Sequence, residues 1–300
     1  MSQAILITAY KDFGQLDRLI SRFRDSYVYV HIDRKAFGEA KSFAVDDVMC
    51  VGGKYLIDKY IGNSHVRFFS KYEVEWGGYN HLLSVIYLMK LANKNPDVTY
   101  IHIVSGQDYP VKGKAEFDLL EQSGKIFMTC NPLDSTSAMV KERYRYTHLF
   151  ARLWDMRSKR YIKWDKRMRK YLPLERKRIG KFRMPEIYKG MVWASMPKNV
   201  SAFVCDFIRT VKGLRFMFGL LWSEIPEEIF FQTILMHSVY SGNIVNDNMR
   251  YTLWHEKNGA VPGILDESDF ESIINSNAVF ARKISSDCSA KLLNMLDEMI

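Results

Sequence analysis

The 300-residue chain has only four cysteines, Cys50, Cys130, Cys205 and Cys288, set far apart and in no paired metal-ligand spacing. That argues against a zinc or disulfide framework and for structural thiols in a reducing compartment. No apolar run reaches the length of a bilayer-spanning helix. No signal peptide opens the chain either, since Met1-Ser2-Gln3 runs straight into the strand-like Ala4-Ile5-Leu6-Ile7-Thr8-Ala9-Tyr10. A soluble or peripheral protein of the cytoplasm is expected. There is no G-x-G-x-x-G and no Walker loop, which excludes the usual dinucleotide and P-loop chemistries. Internal repeats, Pro/Gly/Ser linkers and low-complexity tracts are absent too, so one domain over residues 1–300 is expected.

What the chain does have is ample apolar content, 47%, and a net charge of +9. The first supplies a large core; the second favours anionic partners such as nucleotide phosphates, nucleic acid or an anionic membrane. Residues 4–10 read as a buried parallel strand, and Leu16, Leu19, Ile20 and Phe23 mark an amphipathic helix after it. A second strand, residues 27–33, ends at Asp33. This strand–helix–strand opening begins a nucleotide-binding α/β layer, whose ligands sit beyond the carboxyl ends of the strands. Asp33 is placed to accept from a base or ribose, or to serve as a plain turn residue. Short strands are expected at 48–51, 66–69, 100–105 and 126–130, and again at 189–196, 249–254 and 278–283. Helices are expected from Leu82, Val85, Ile86 and Met89, over 197–211 and over 289–299. His31 and His102, inside apolar strands, read as hydrogen-bonded core residues.

Two stretches stand apart. Residues 157–183 carry 13 Lys/Arg against two acids, Asp165 and Glu175, interleaved with Tyr161, Ile162, Trp164, Met168, Tyr171 and Leu172. A solvated basic helix, a segment resting on an anionic leaflet and a nucleic-acid contact all fit this pattern, the membrane more readily than nucleic acid. The second stretch, 222–235, runs from Trp222-Ser223-Glu224-Ile225-Pro226 into Glu227-Glu228 and then an apolar helix. Pro suits a first turn, so the helix is expected to start near Pro226, with both carboxylates at its exposed mouth. First-turn acids also serve simply to complement the helix dipole.

The order of motifs resembles the core-2/I-branching and peptide-O-xylosyltransferase family of glycosyltransferases. The landmarks are His31-Ile32-Asp33-Arg34-Lys35, Val74-Glu75-Trp76-Gly77-Gly78 and Ser105-Gly106-Gln107-Asp108-Tyr109-Pro110. They continue with Lys189-Gly190-Met191-Val192-Trp193, Pro226-Glu227-Glu228-Ile229-Phe230-Phe231-Gln232-Thr233, Arg250-Tyr251-Thr252-Leu253-Trp254 and Phe280-Ala281-Arg282-Lys283. The resemblance implies an α/β, GT-A-type glycosyltransferase fold: a single nucleotide-binding domain with a mostly parallel central sheet and a basic helical insertion at about 155–185. It implies inverting transfer from a UDP-sugar, with Glu228 as general base, Arg282 and Lys283 holding the donor diphosphate, and Asp33 on the uridine. Asp108, Trp193 and Trp76 are implied to line the cleft. Glu227 stands where the family usually has Asp. The family's animal members carry a membrane anchor and often paired cysteines, which this chain does not show, so a bacterial relative is expected.

The residue chemistry agrees. Inversion needs one carboxylate to take the acceptor's proton, and preplaced cations to meet the charge gathering on the leaving diphosphate. Asp-x-Asp, which binds a divalent metal in many GT-A enzymes, is missing; Asp46-Asp47 and the pair Asp266 and Asp269 have the wrong spacing. Hence no metal or other cofactor is expected, with Arg282 and Lys283 in the metal's place. The expected donor sugar is N-acetylglucosamine or xylose. The expected acceptor is a glycan or lipid-linked glycan hydroxyl in surface-polysaccharide assembly, with peripheral attachment to the inner face of the membrane and no nucleic acid partner. The competing readings are a basic nucleic-acid-binding protein and a non-catalytic sugar-nucleotide binder of the same fold.

Overall fold

A computed structural model describes residues 2–37, 54–172 and 186–299, and the short strand pairs Ala44–Val45 with Val48–Met49 and Arg178–Ile179 with Phe182–Arg183. Cys50, Val51 and Glu175 lie outside the described residues. The centre is a seven-stranded sheet in the order Ile244–Val245, Ile126–Met128, Ala194–Pro197, Val98–Ser105, Ser2–Ala9, Tyr27–Ile32, Val66–Phe69. Ser2–Ala9 pairs in parallel with both neighbours, and only Ala194–Pro197 runs against the rest. This mostly parallel α/β layer agrees with the GT-A-type expectation. Val66–Phe69 is an edge strand of the sheet.

Successive strand side chains point to opposite faces, and here both faces are covered, which is why these strands are continuously apolar. Ala4 and Leu6 enter one core, Ile5 and Ile7 the other. Over the first face lie helices Tyr79–Lys94, Lys198–Phe207, Val211–Leu220 and Glu227–Met236; over the second lie Phe13–Ser21 and Ser286–Met299. Leu16, Leu19 and Ile20 are buried as their spacing requires. The expected core histidines are there. His102 shares hydrogen bonds with Ser195 Oγ at 2.8 Å and Gln3 Oε1 at 3.0 Å, and His31 Nε2 accepts from the Lys71 and Tyr72 amides. Burial drives His31 down to about 4 and His102 well below its ordinary value.

A second sheet of three strands, Arg250–Thr252, Phe280–Arg282 and Asp108–Pro110, stands beside the first. Its antiparallel register sets Arg282 opposite Asp108. The sequence reading differs from this structure in several places. Asp108 opens a strand instead of sitting in a turn, and residues 190–193 form a crossing between strands Tyr188–Lys189 and Ala194–Pro197. A further helix, Val211–Leu220, beyond the one expected over 197–211, follows Lys198–Phe207 after a turn. Its apolar residues face both ways, so no one-sided stripe announces it. Among the described residues no helix is long and apolar enough to cross a membrane.

Candidate functional site

The helix that organises the site is Glu227–Met236, capped by Pro226 as expected. Residues 229–235 are buried all round, so this is an interior helix rather than one planted by a single face. Ile225, just before it, has φ of 43°, an unusual value for a β-branched residue. That conformation is held from several sides. The Ile225 amide donates to Gly77 O at 2.8 Å, its carbonyl accepts from Tyr144 Oη at 3.2 Å, and its side chain packs with Ala151, Met156 and Tyr161. Gly77 itself sits at φ of 73°, where Met156 Sδ leaves no room for a Cβ. The strained corner delivers the chain into the carboxylate pair.

The two acids part company, which corrects the expectation that both lie at an exposed mouth. Glu227 is 5% exposed and turned inward, its Oε1 2.9 Å from His81 Nδ1. The other His81 nitrogen faces Thr8 Oγ1 at 3.4 Å. Glu228 keeps partial exposure and pairs with Lys189 Nζ at 2.9 Å. Burial pushes its carboxyl above the ordinary carboxylate range, with Lys189 pulling it back. The strand end carrying Lys189 is pinned to the same helix, since the Gly190 amide donates to Glu228 O at 2.8 Å. Only glycine fits at position 190, where a Cβ would fall 1.6 Å from Thr129 O.

Arg282 is 7% exposed, with its guanidinium 4.6 Å from the centre of the Trp193 ring and Nε 3.4 Å from Asp108 Oδ1. Asp108 is fully buried and fixed by the Ser105 amide and hydroxyl, each donating at 2.5 Å. It therefore positions Arg282 instead of lining an open wall. Burial lowers Arg282 from its ordinary value while Asp108 and Glu228 pull it up, so Glu228 lies within electrostatic reach of this guanidinium. The edge of His81 meets Trp193 with ring centres 6.0 Å apart, joining the Glu227 side to the Arg282 side. Lys283 is lowered by burial and then by Arg282, Lys11 and Arg157, all of them cations. Arg157 is itself paired with Asp155, at 3.1 Å. Arg157 also lies 5.1 Å from the centre of the exposed Trp76 ring, which brings Trp76 to this region.

Asp33 is 7% exposed, and its Oδ1 accepts from the amides of Lys35 at 3.0 Å and Val74 at 3.1 Å. It staples the second strand to the loop that leads to Trp76. Burial raises its carboxyl, against these donors. Thus Arg282, Trp193 and Asp108 are in contact, Glu228 lies within electrostatic reach of Arg282, Lys283 follows Arg282 in the chain, and Trp76 joins this region only through Arg157. Asp33 sits one loop away. His81, Lys189, Lys11 and Arg157 are the participants that sequence reasoning missed; Lys189 alone lay inside a quoted motif, but nothing in it pointed to Glu228.

A separate buried cluster ties the basic helix Lys159–Tyr171 to the corner before Glu227. His148 Nδ1 faces Asp165 Oδ1 at 2.8 Å and Glu224 Oε1 at 3.5 Å, and these atoms are close enough together to suggest a cation site. The remaining partners are already supplied: Arg169 donates to Asp165 Oδ2 at 2.9 Å, Arg143 to Glu224 Oε2 at 3.1 Å and Tyr161 Oη to Glu224 Oε1 at 2.5 Å. The cluster is saturated by its own donors and acts as an anchor. Asp165, counted in the sequence as a stray acid, is its centre.

A model of the Core-2/I-Branching enzyme family matches residues 4–274, and the chain belongs to this family, a family of glycosyltransferases. Among curated relatives, xylosyltransferase sqv-6 of Caenorhabditis elegans is 23% identical over 260 residues, covering 82% of this chain. Its Caenorhabditis briggsae counterpart is 22% identical over the same length. The chain spans 28% of the length of these relatives. Among solved structures, HddC from Yersinia pseudotuberculosis aligns with 44% of this chain and 59% of its own at 14% identity. Its TM-score of 0.27 is too low to bear on function.

Proposed function

We propose that this protein is an inverting, metal-independent glycosyltransferase that moves a sugar, N-acetylglucosamine or xylose, from a UDP-sugar to a glycan hydroxyl. The observation that carries the reading is a partly exposed carboxylate at a helix start, Glu228, held by Lys189 Nζ at 2.9 Å, with the Arg282 guanidinium fixed over Trp193 and beside Asp108 within its electrostatic reach. Glu228 takes the proton of the acceptor hydroxyl as that oxygen attacks the anomeric carbon. The bond from that carbon to the diphosphate oxygen breaks on the opposite face, and its electron pair leaves on UDP. Arg282 and Lys283 receive that charge, in the role a divalent metal has in other GT-A enzymes. Asp33 is assigned to the uridine, while Trp193 and Trp76 bound the cleft. The bacterial setting and lipid-linked acceptor belong to the same proposal, with the basic helix resting on the inner membrane face.

The test is transfer from a panel of UDP-sugars with Glu228→Gln and with excess chelator. The variant keeps UDP affinity and loses most turnover, and chelator leaves the wild type active. Full activity in the variant removes Glu228 from the mechanism, and strict dependence on Mn²⁺ removes Arg282 and Lys283 from the metal's role.

A further inference from the structure

We propose that helix Val211–Leu220 is a second membrane-docking element, acting with the basic helix Lys159–Tyr171 on an anionic lipid surface. The proposal deepens the lipid-linked reading above and rests on it for the source of the acceptor. Gly213, Phe216, Gly219 and Leu220 hold the helix to the body, with Phe216 stacked on Phe230 of the site helix. Its outer side carries Val211, Leu214 and Phe218, exposed by 66%, 58% and 58%. These positions are three and four residues apart and so form one stripe. Lys212 and Arg215 flank it, and residues 211–222 contain no acid.

The basic helix has the complementary make-up. Lys159, Arg160, Lys163, Lys166, Arg167 and Lys170 are exposed, with Ile162, Trp164 and Tyr171 exposed between them. Its single acid, Asp165, is turned into the anchor. Apolar and indole side chains among exposed cations match a lipid surface, which offers head-group charge and an acyl boundary together. A phosphate backbone would leave Ile162, Leu214 and Phe218 without a partner, and a second copy of the chain would set cation against cation. The segment that leaves helix Val211–Leu220 is tied to the basic helix: the His148 amide donates to Trp222 O at 2.8 Å, and Tyr161 of the basic helix donates to Glu224 two residues further on. A surface that holds both helices therefore fixes the orientation of the Glu227–Met236 helix.

The experiment is sedimentation of the full chain with phosphatidylcholine vesicles, with and without phosphatidylglycerol, in the absence of any sugar donor. Wild type binds the anionic vesicles and releases at high salt. Leu214→Ser with Phe218→Ser lowers binding about tenfold, and Lys163→Glu with Lys166→Glu and Arg167→Glu by on the order of a hundredfold. Melting points matching wild type exclude misfolding in either set. Undiminished binding by the Leu214/Phe218 variant overturns the proposal for this helix even if the basic helix still binds. Equal binding to neutral vesicles, or binding to single-stranded nucleic acid with none to vesicles, overturns the lipid assignment altogether. Because no donor is present, loss of docking and failure of sugar transfer are separate results.

Discussion

Arg282 is buried over Trp193 and faces Asp108 from the neighbouring strand, whereas the exposed cations of Lys159–Tyr171 have no acid on their side of the helix. One region spends its positive charge at a single point fixed by sheet register. The other spreads it over a surface with no prescribed geometry. Desolvation accounts for the contrast: a buried guanidinium persists only when its surroundings determine its place, so such a cation suits chemistry. Exposed cations are cheap, screened by salt and individually weak, which suits a broad charged partner.

The comparison can be tested from its strongest point outward. Glu228→Gln is expected to lower kcat by about 10²–10⁴ with UDP affinity kept, measured by single-turnover transfer and UDP titration. Arg282→Lys, which keeps the charge but loses the planar fork over Trp193 and beside Asp108, is expected to cost roughly 10² in kcat/KM. A near-normal Arg282→Lys enzyme would show that charge alone matters and would erase the distinction between the two regions. Asp165→Ala leaves His148 and Arg169 without their buried partner and should destabilise by roughly 3–5 kcal/mol in denaturant unfolding.

Two smaller effects sharpen the contrast. Glu228 must be ionised to accept a proton, and its carboxyl is raised by burial, so the rate falls as pH drops through that raised value. Lys189→Met removes a charge that favours the ionised form, and the acid limb of the kcat/KM profile moves to higher pH. Least affected is the triple reversal of Lys163, Lys166 and Arg167, with transfer to a soluble acceptor changed by less than about twofold, because surface charges away from the cleft contribute little.

Much of this was legible in the sequence wherever local pattern decides structure. The continuous burial of Ala4 to Ile7 and the helix start at Pro226 follow from local pattern, while the roles of Glu228 and Arg282 were expected only through the family resemblance. What stayed hidden depends on side-chain direction. Glu227 and Glu228 are neighbours of identical type, and only the packed helix decides that one meets His81 while the other meets Lys189. Asp165 looked like a lone acid in a basic run because its partner His148 lies in another segment. Helix Val211–Leu220 escaped notice because its apolar residues face outward as well as inward.

The strand carrying Arg282 is paired on both sides, with Arg250–Thr252 and with Asp108–Pro110. The cation therefore takes its place only after every strand of the main sheet has been made, since the last of these in chain order is Ile244–Val245. A nascent chain that has already formed its main sheet and set Glu228 in its helix still lacks the guanidinium that lies over Trp193. The same strand also carries Phe280 into the second core, so a change that unseats it would move the Arg282 guanidinium and the packing of that face together.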